Sequence, residues 1–391
     1  MTLSAPIDRH ASRRAAWTTS ATYALLLSGQ GVYLPFFPIW LAHRGYDARE
    51  IGLLLAIPML MRVFASAPFA RIGDGRLGPR RTFLMMVCGM AFGYAGLPFM
   101  PEFWSLALML TVASTFLAPT TPLLDTIVLD GVVQHGHDYG RIRQWGSLFW
   151  LLTAITMGKA LTVLPAETIP PIMAILAALT ALFGLALPDD RGTIRADAVR
   201  PERGDAPPRA LFALFIAASA CLQGAHSLLY SFATLIWQQR GFSSSEIGGL
   251  WAIGTITETA LFLLGGNAAG RLGPYAMVAI GGAVGLLRWV LMGFDPGSGL
   301  TIGALQAMHA LTFAAVHLGT MGWLNRFGGD RATRQGIVAA VVGAGLAGGT
   351  ALAGVLYGSL GPHGYFAMAG VSAIGLALTA AAWSMERRGA A

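Results

Sequence analysis

Residues 45–79 read GYDAREIGLLLAIPMLMRVFASAPFARIGDGRLGP, and residues 241–274 read GFSSSEIGGLWAIGTITETALFLLGGNAAGRLGP. Glu50-Ile51-Gly52, Ala56-Ile57 and Arg76-Leu77-Gly78-Pro79 return in order as Glu246-Ile247-Gly248, Ala252-Ile253 and Arg271-Leu272-Gly273-Pro274. Just upstream, Ile39-Trp40 and Gly45-Tyr46 match Ile236-Trp237 and Gly241-Phe242, with one residue inserted. The offset is close to 196, half of the 391 residues. Each copy opens on a capping box, Asp47 three residues before Glu50 and Ser243 three before Glu246, in which side chain and backbone satisfy each other at a helix start. An apolar run follows each time, so both copies predict a helix that begins at a polar loop and enters an apolar medium.

Composition extends that reading to the whole chain. Hydrophobic residues make up 55% and charged residues 12%, with a mean hydropathy of +0.60. Soluble domains carry about 25% charged residues, so this chain lacks the polar surface a soluble fold needs. Apolar stretches long enough to cross a bilayer, ~20 residues, are read at about 17–42, 49–70, 81–100, 104–132, 140–163, 168–187, 209–239, 246–268, 275–294, 299–325, 335–358 and 364–384. The fold expected is all-α and membrane-spanning, with twelve helices in two pseudo-symmetric six-helix bundles. The polar stretch from Pro188 to Arg209 divides them, giving one bundle at 1–187, a linker at 188–208 and a second bundle at 209–391. The repeat pairs the second span with the eighth, six spans apart, so the halves share orientation and are related by an axis along the membrane normal. Fifty glycines suit close helix packing in lipid. Cys88 and Cys221 lie within apolar runs and offer no disulfide framework or metal spacing.

Basic residues follow the positive-inside pattern. With the N-terminus inside, loops on that side hold 20 of the 26, and the opposite loops hold only Arg44, Arg49, Lys159 and Arg240. Both termini are therefore expected in the cytoplasm, in a bacterial-type inner membrane. The net charge of +7 follows from this bias, and nucleic acid is excluded as a partner because the arginines are dispersed over loops.

The last two basic residues, Arg62 and Arg288, fall within spans. Ionisable groups at membrane depth are costly and point to function. Arg62 lies twelve residues beyond Glu50 and Glu258 twelve beyond Glu246, ~18 Å into the membrane at 1.5 Å per residue. Equivalent repeat positions thus carry opposite charges. Glu258 is expected to respond to protons and Arg62 to bind an anion or change partners, with a permanent structural ion pair as the alternative. Arg288 and Asp125 form a second opposite pair. His226 and Tyr230 share a helix face, and His309 and His317 are candidates for proton coupling or for hydrogen-bonded structural roles. Gln30 and Gln223 are expected to line a cavity and Gln306 to line it or bridge helices. Asp74 and Asp130, near helix ends amid arginines such as Arg76, are expected to form gating ion pairs, with simple surface charge as the alternative.

Several segments resemble known families. Asp74 to Arg81 is similar to the major facilitator loop signature, with one residue inserted. Tyr33-Leu34-Pro35-Phe36-Phe37-Pro38-Ile39-Trp40-Leu41 resembles the first helix of the lactose permeases. Asp138 to Ser147, and Leu222-Gln223-Gly224-Ala225-His226 continuing through Trp251 to Glu258, resemble the phenylpropionate permeases. The resemblance to lactose permeases implies substrate contacts at Asp125, Arg143 and Trp150, and equivalents of its membrane arginine and histidine at Arg288 and His309. One departure is that Thr312 stands where those permeases carry a proton-binding glutamate, so any coupled proton is expected on Glu258, Asp125 or a histidine, His309 or His317. The resemblance to phenylpropionate permeases implies a small aromatic carboxylate as substrate. Its acid would meet Arg62 or Arg288, and Tyr33, Trp150, Tyr230 and Trp251 would cover its ring.

Together these readings predict a proton-coupled secondary transporter, a symporter working by alternating access, with a small solute, protons and lipid as its partners. A sugar symporter and a proton-driven exporter of hydrophobic compounds are the alternatives. No zinc-protease, nucleophile-elbow or Walker signature occurs, so no enzymatic activity, cofactor or metal is expected. A monomer is expected.

Overall fold

The computed structural model describes residues 9–73, 75, 77–188, 206–264, 271–328 and 331–389. Their helices are α1 (Arg9–His43), α2 (Ala48–Gly73), α3 (Gly78–Gly96), α4 (Phe103–Leu117), α5 (Thr120–His135), α6 (Tyr139–Ala160) and α7 (Ile169–Gly184). In the second half follow α8 (Arg209–Gly224), α9 (Ser227–Gln239), α10 (Ser244–Leu264), α11 (Pro274–Gly293), α12 (Gly299–Ala307), α13 (Val316–Leu324), α14 (Arg331–Leu360) and α15 (Tyr365–Gly389). No strand occurs among the described residues. Among the described residues, ten helical segments are long and apolar enough to cross a membrane. One of them, Thr333–Arg388, contains both α14 and α15, and α6 adds a further helix of 22 residues. Each of the twelve expected spans therefore overlaps helix among the described residues; residues 265–268 of the eighth lie outside them.

Three spans are interrupted rather than continuous. The fourth is α4 and α5, broken at Pro119, whose ring removes a backbone donor. The seventh is α8 and α9, broken at Ala225 and His226. The tenth is α12, a π-helical turn at Ala310–Ala315, and α13. Such π-turns are frequent at functional sites.

The repeat is realised at the level of backbone torsion. Gly45 and Gly241 have φ of 86° and 88°, and Gly78 and Gly273 have φ of 76° and 77°. At the first pair the reason is a Schellman end, which needs a left-handed residue after the helix. Gly45 N–H donates to Ala42 O at 3.0 Å and Tyr46 N–H to Leu41 O at 3.3 Å, while Gly241 donates to Gln238 O at 2.9 Å and Phe242 to Trp237 O at 3.0 Å. The capping boxes close as read. Asp47 N–H donates to Glu50 Oε2 and Glu50 N–H to Asp47 Oδ1, both at 2.9 Å. Ser243 N–H donates to Glu246 Oε2 at 2.8 Å and Glu246 N–H to Ser243 Oγ at 3.3 Å.

Of the described residues, those within Met1–Tyr33, Phe64–Ala154 and Pro165–Val199 form one compact unit. Those within Leu34–Val63, Ile155–Leu164 and Arg200–Ala391 form a second. In the first, α3 packs on α4 and α7 around Phe83, Met86, Leu106, Leu110 and Met173, all buried. In the second, α15 packs on α8 and α11, and the Phe215 and Trp323 rings stack at 4.2 Å. Large apolar side chains point outward as well: Phe99, Trp104, Leu264 and Leu300 are each more than 75% exposed. Lipid, not water, suits such a surface.

Within the second unit two helix crossings are pseudo-symmetry mates. A Cβ on Gly354 of α14 would lie 2.5 Å from Ala48 O and 3.1 Å from Gly52 Cα of α2. A Cβ on Gly158 of α6 would press as closely on Ser244 O and lie 3.2 Å from Gly248 Cα of α10. Adding about 196 to Ala48, Gly52 and Gly158 gives Ser244, Gly248 and Gly354. The repeat thus places glycine at both of these crossings.

Candidate functional site

The break between α8 and α9 turns His226 inward. Its backbone N–H donates to Gln223 O at 3.1 Å, and its ring Nδ1 lies 3.2 Å from the carbonyls of both Leu222 and Gln223. The π-turn brings Thr312 opposite, with His226 Nε2 and Thr312 Oγ1 3.0 Å apart. From α11, Arg288 reaches the same point. Its guanidinium donates to Thr312 Oγ1 at 3.0 Å and to Gln306 Oε1 at 2.7 Å, and approaches His309 Nδ1 at 3.4 Å. On the far side of the imidazole, His309 Nε2 lies 3.4 Å from Glu258 Oε2. Gln306 Nε2 in turn donates to Leu250 O at 3.3 Å.

Proton positions along part of this chain follow from valence. An arginine can only donate, so Nδ1 of His309 must present its lone pair to Arg288. Nε2 of the neutral ring then carries the hydrogen and offers it to the Glu258 carboxylate. Arg288 is wholly buried, and burying a charge is costly unless it is well hydrogen-bonded. Here the guanidinium is held by neutral acceptors and by the face of Trp289, 4.6 Å from the ring centroid, a cation–π contact. Glu258 keeps a quarter of its side chain exposed and His309 about a tenth, so the accessible end of the relay is the carboxylate.

Aromatic rings enclose the network. Tyr230 stacks between His226 at 5.7 Å and Trp251 at 6.4 Å, and His226 stands edge-on to Trp289 at 5.0 Å. The Trp251 indole donates to Thr234 Oγ1 at 2.9 Å, which fixes its plane. Gln223 donates to Phe313 O of the π-turn at 3.4 Å. Arg62, on α2 in the same unit, has an exposed side chain. His317 is exposed and edge-on to Phe262 at 6.2 Å, apart from this hydrogen-bond network.

The remaining candidates lie in the first unit. Asp125 accepts hydrogen bonds from the phenols of Tyr23 and of Tyr139, the latter at 2.8 Å. Arg143 sits over the Tyr23 ring at 5.3 Å. Gln30 lines a small cavity with Leu26, Tyr94 and Thr180. Tyr33 is buried, and the Trp150 carbonyl packs against Gly31. Asp130 is buried beside Ile127, Gly131 and Pro188. Asp74 and Arg76 lie outside the described residues. Asp125 and Arg288 belong to different compact units, and each takes part in a polar cluster of its own unit. The sequence reading did not assign Trp289, Tyr23 or Tyr139 a part, and it took Thr312 only as a departure. Its spacing of three from His309, which puts two residues on one helix face, is the signal that could have found it.

Known proteins match along most of the chain. The model of the MFS_1 like family matches residues 16–368. A probable 3-phenylpropionic acid transporter of Escherichia coli (strain K12) is 30% identical over 351 residues, covering 86% of this chain and 89% of that one. A maltose permease of Geobacillus stearothermophilus is 21% identical over 70% of each chain. Among solved structures, the nucleoside transporter NupG superposes with a TM-score of 0.79 at 18% identity, covering 94% of this chain and 99% of that one.

Proposed function

Since this chain belongs to the MFS_1-like family and is an integral membrane transporter of a small molecule, we propose that it is a proton-coupled symporter for a small aromatic carboxylate. The observation that carries the proposal is the relay Glu258–His309–Arg288 inside the spans, walled by Tyr230, Trp251 and Trp289. The relay holds one carboxylate at its accessible end, and that carboxylate loads the proton. Protonating His309 at Nδ1 would set a second cation against Arg288, which charge repulsion forbids. The substrate carboxylate is received by Arg62, an exposed residue of α2, rather than by Arg288, which is wholly buried. A bidentate Arg–carboxylate pair is short, strong and orienting.

The transport cycle is alternating access between a six-helix bundle at 1–187 and another at 209–391, joined by the linker 188–208. Binding of the aromatic acid at Arg62 and of a proton at Glu258 favours the rearrangement; release of both resets it. The chain works as a monomer in the inner membrane with both termini in the cytoplasm. The relative from Escherichia coli, named for 3-phenylpropionic acid, supports the substrate class. The test is uptake of labelled 3-phenylpropionate by proteoliposomes under an imposed pH gradient, acidic outside. Accumulation that collapses with a protonophore is expected. Uptake that ignores the gradient would remove the coupling, and absence of uptake across a panel of aromatic acids would remove the substrate class.

A further inference from the structure

We propose that Thr312 is a positioning residue, whose single hydroxyl hydrogen caps the bare Nε2 of His226, favours its neutral state and so joins Arg288 to the broken seventh span. The inference deepens the relay proposed above, but its geometry stands without it.

His226 Nδ1 faces two backbone carbonyls, Leu222 O and Gln223 O, each at 3.2 Å. Carbonyls only accept, so Nδ1 carries a hydrogen. In the neutral ring Nε2 is then a bare lone pair, and it lies 3.0 Å from Thr312 Oγ1. Arg288 only donates, and its NH1 lies 3.0 Å from the same oxygen. The Thr312 hydroxyl therefore accepts from Arg288 and gives its hydrogen to His226. The other acceptor in reach, the carbonyl of His309 at 3.4 Å, is longer and loses the competition.

The charged and titratable groups facing this point are Arg288 from α11, His309 at the end of α12, His226 from the break between α8 and α9, and Tyr230 of α9, whose ring stacks on His226 at 5.7 Å. Glu258 of α10 meets the network through His309. Every one of the first three is at least nine-tenths buried. A protonated His226 would place a second cation in this enclosure and would need Thr312 to give up its bond to it. In the neutral state of His226 all three donors, Arg288 NH1, Thr312 O–H and His226 Nδ1–H, find acceptors without recourse to the longer contact with the His309 carbonyl. Two histidines of opposite tautomer result, hydrogen on Nδ1 in His226 and on Nε2 in His309. Neither has a free site for a transported proton.

The π-turn is what makes this geometry available. It carries Thr312 and Phe313, and Gln223 from the end of α8 donates to Phe313 O at 3.4 Å. Two bonds therefore tie the irregular part of the tenth span to the irregular part of the seventh.

The experiment is nitrogen-15 NMR of histidine-labelled full-length protein near neutral pH, with the His226 resonances assigned by their loss in His226→Asn. Wild-type protein is expected to show His226 as neutral, with a protonated Nδ1 and an unprotonated, hydrogen-bonded Nε2. A charged ring, or the opposite tautomer, overturns the proposal without any further variant. Thr312→Val is expected to shift the His226 Nε2 resonance toward that of an unbonded nitrogen and to lower kcat at least tenfold with KM changed less than twofold. Thr312→Ser is expected to restore both. Equal behaviour of the Val and Ser variants would reduce Thr312 to packing. Because the spectra need no substrate, a wild-type protein with the expected tautomer but no uptake of aromatic acids would count against the transport assignment alone.

Discussion

The paired glycine crossings offer the sharpest test of alternating access. In the structure, a Cβ at Gly354 would sit 2.5 Å from Ala48 O, whereas carbon and carbonyl oxygen normally approach to about 3.3 Å. Gly354→Ala therefore requires α14 and α2 to part by ~0.8 Å. The obstacle is backbone, which cannot rotate away, so the overpacking costs about 1–3 kcal/mol. The cost falls only on the state in which this crossing is closed, and alanine's better helix propensity acts on both states and cancels. A bias of about 1–3 kcal/mol changes a two-state ratio by about 5- to 150-fold. Gly158→Ala does the same at the mated crossing with Ser244 and Gly248, and the two costs add because the crossings share no residue. Gly249→Ala is the control, since nothing lies within 4 Å of its would-be Cβ. The assay is pulsed electron paramagnetic resonance between spin labels at Arg49 of α2 and Ser359 of α14, both exposed, with Cys88 and Cys221 replaced. Each single variant is expected to add a longer-distance population and the double variant to make it dominant. A double variant that folds and keeps the distance distribution of the control would refute the reasoning, because the crossings would then not open.

Other outcomes follow from the same contacts. Glu258→Gln is expected to abolish accumulation driven by a pH gradient while leaving substrate exchange across the membrane intact, read in counterflow; loss of both would make Glu258 a binding group. Arg62→Gln should raise KM at least tenfold for aromatic acids and much less for the corresponding amides, measured by competition. Arg288→Gln is expected to destabilise the fold by about 1–3 kcal/mol, the scale for leaving buried acceptors such as Gln306 Oε1 unsatisfied, read as a drop in thermal midpoint in detergent; a shift near zero would show that the guanidinium is not held. Asp295 has φ of 53° and pairs with Arg240 through its side chain and its carbonyl. Asp295→Asn should cost under about 1 kcal/mol, as partly exposed ion pairs do, while Asp295→Val should cost about 1–3 kcal/mol from the left-handed backbone.

The spans were legible because hydropathy and caps act locally: the boxes at Asp47 and Ser243 mark the helix starts to within a residue. The breaks were not. Only the one at Pro119 has a residue that forces it. Between Gly224 and Ser227 no proline intervenes, and the chain leaves the helix because His226 finds Leu222 O, Gln223 O and Thr312 once the tertiary structure exists. The π-turn at Ala310–Ala315 is likewise invisible in the sequence, since one extra residue in a turn changes no periodicity over so short a stretch. In the site, Glu258, Arg288 and His309 could be named because charge inside a span is rare. Their partners Trp289, Gln306 and Thr312 look like ordinary span residues until the helices pack.

The repeat then separates what was copied from what diverged. Its matched positions are those of backbone shape: the left-handed glycines, the capping boxes and the glycines at the two crossings. All of these serve the packing and parting of helices, which is the same mechanical task in each half. The clearest mismatch in the aligned stretch is chemical, Arg62 against Glu258. An arginine cannot release its proton at any physiological pH, while a carboxylate beside an imidazole can take one up. A transporter made of two identical halves would bring like charges to both equivalent positions and could not bind an anion and a proton with separate groups. Under the proposed cycle, divergence at this one pair of positions gives one half a fixed cation and the other a titratable acid, while the two glycine crossings stay alike.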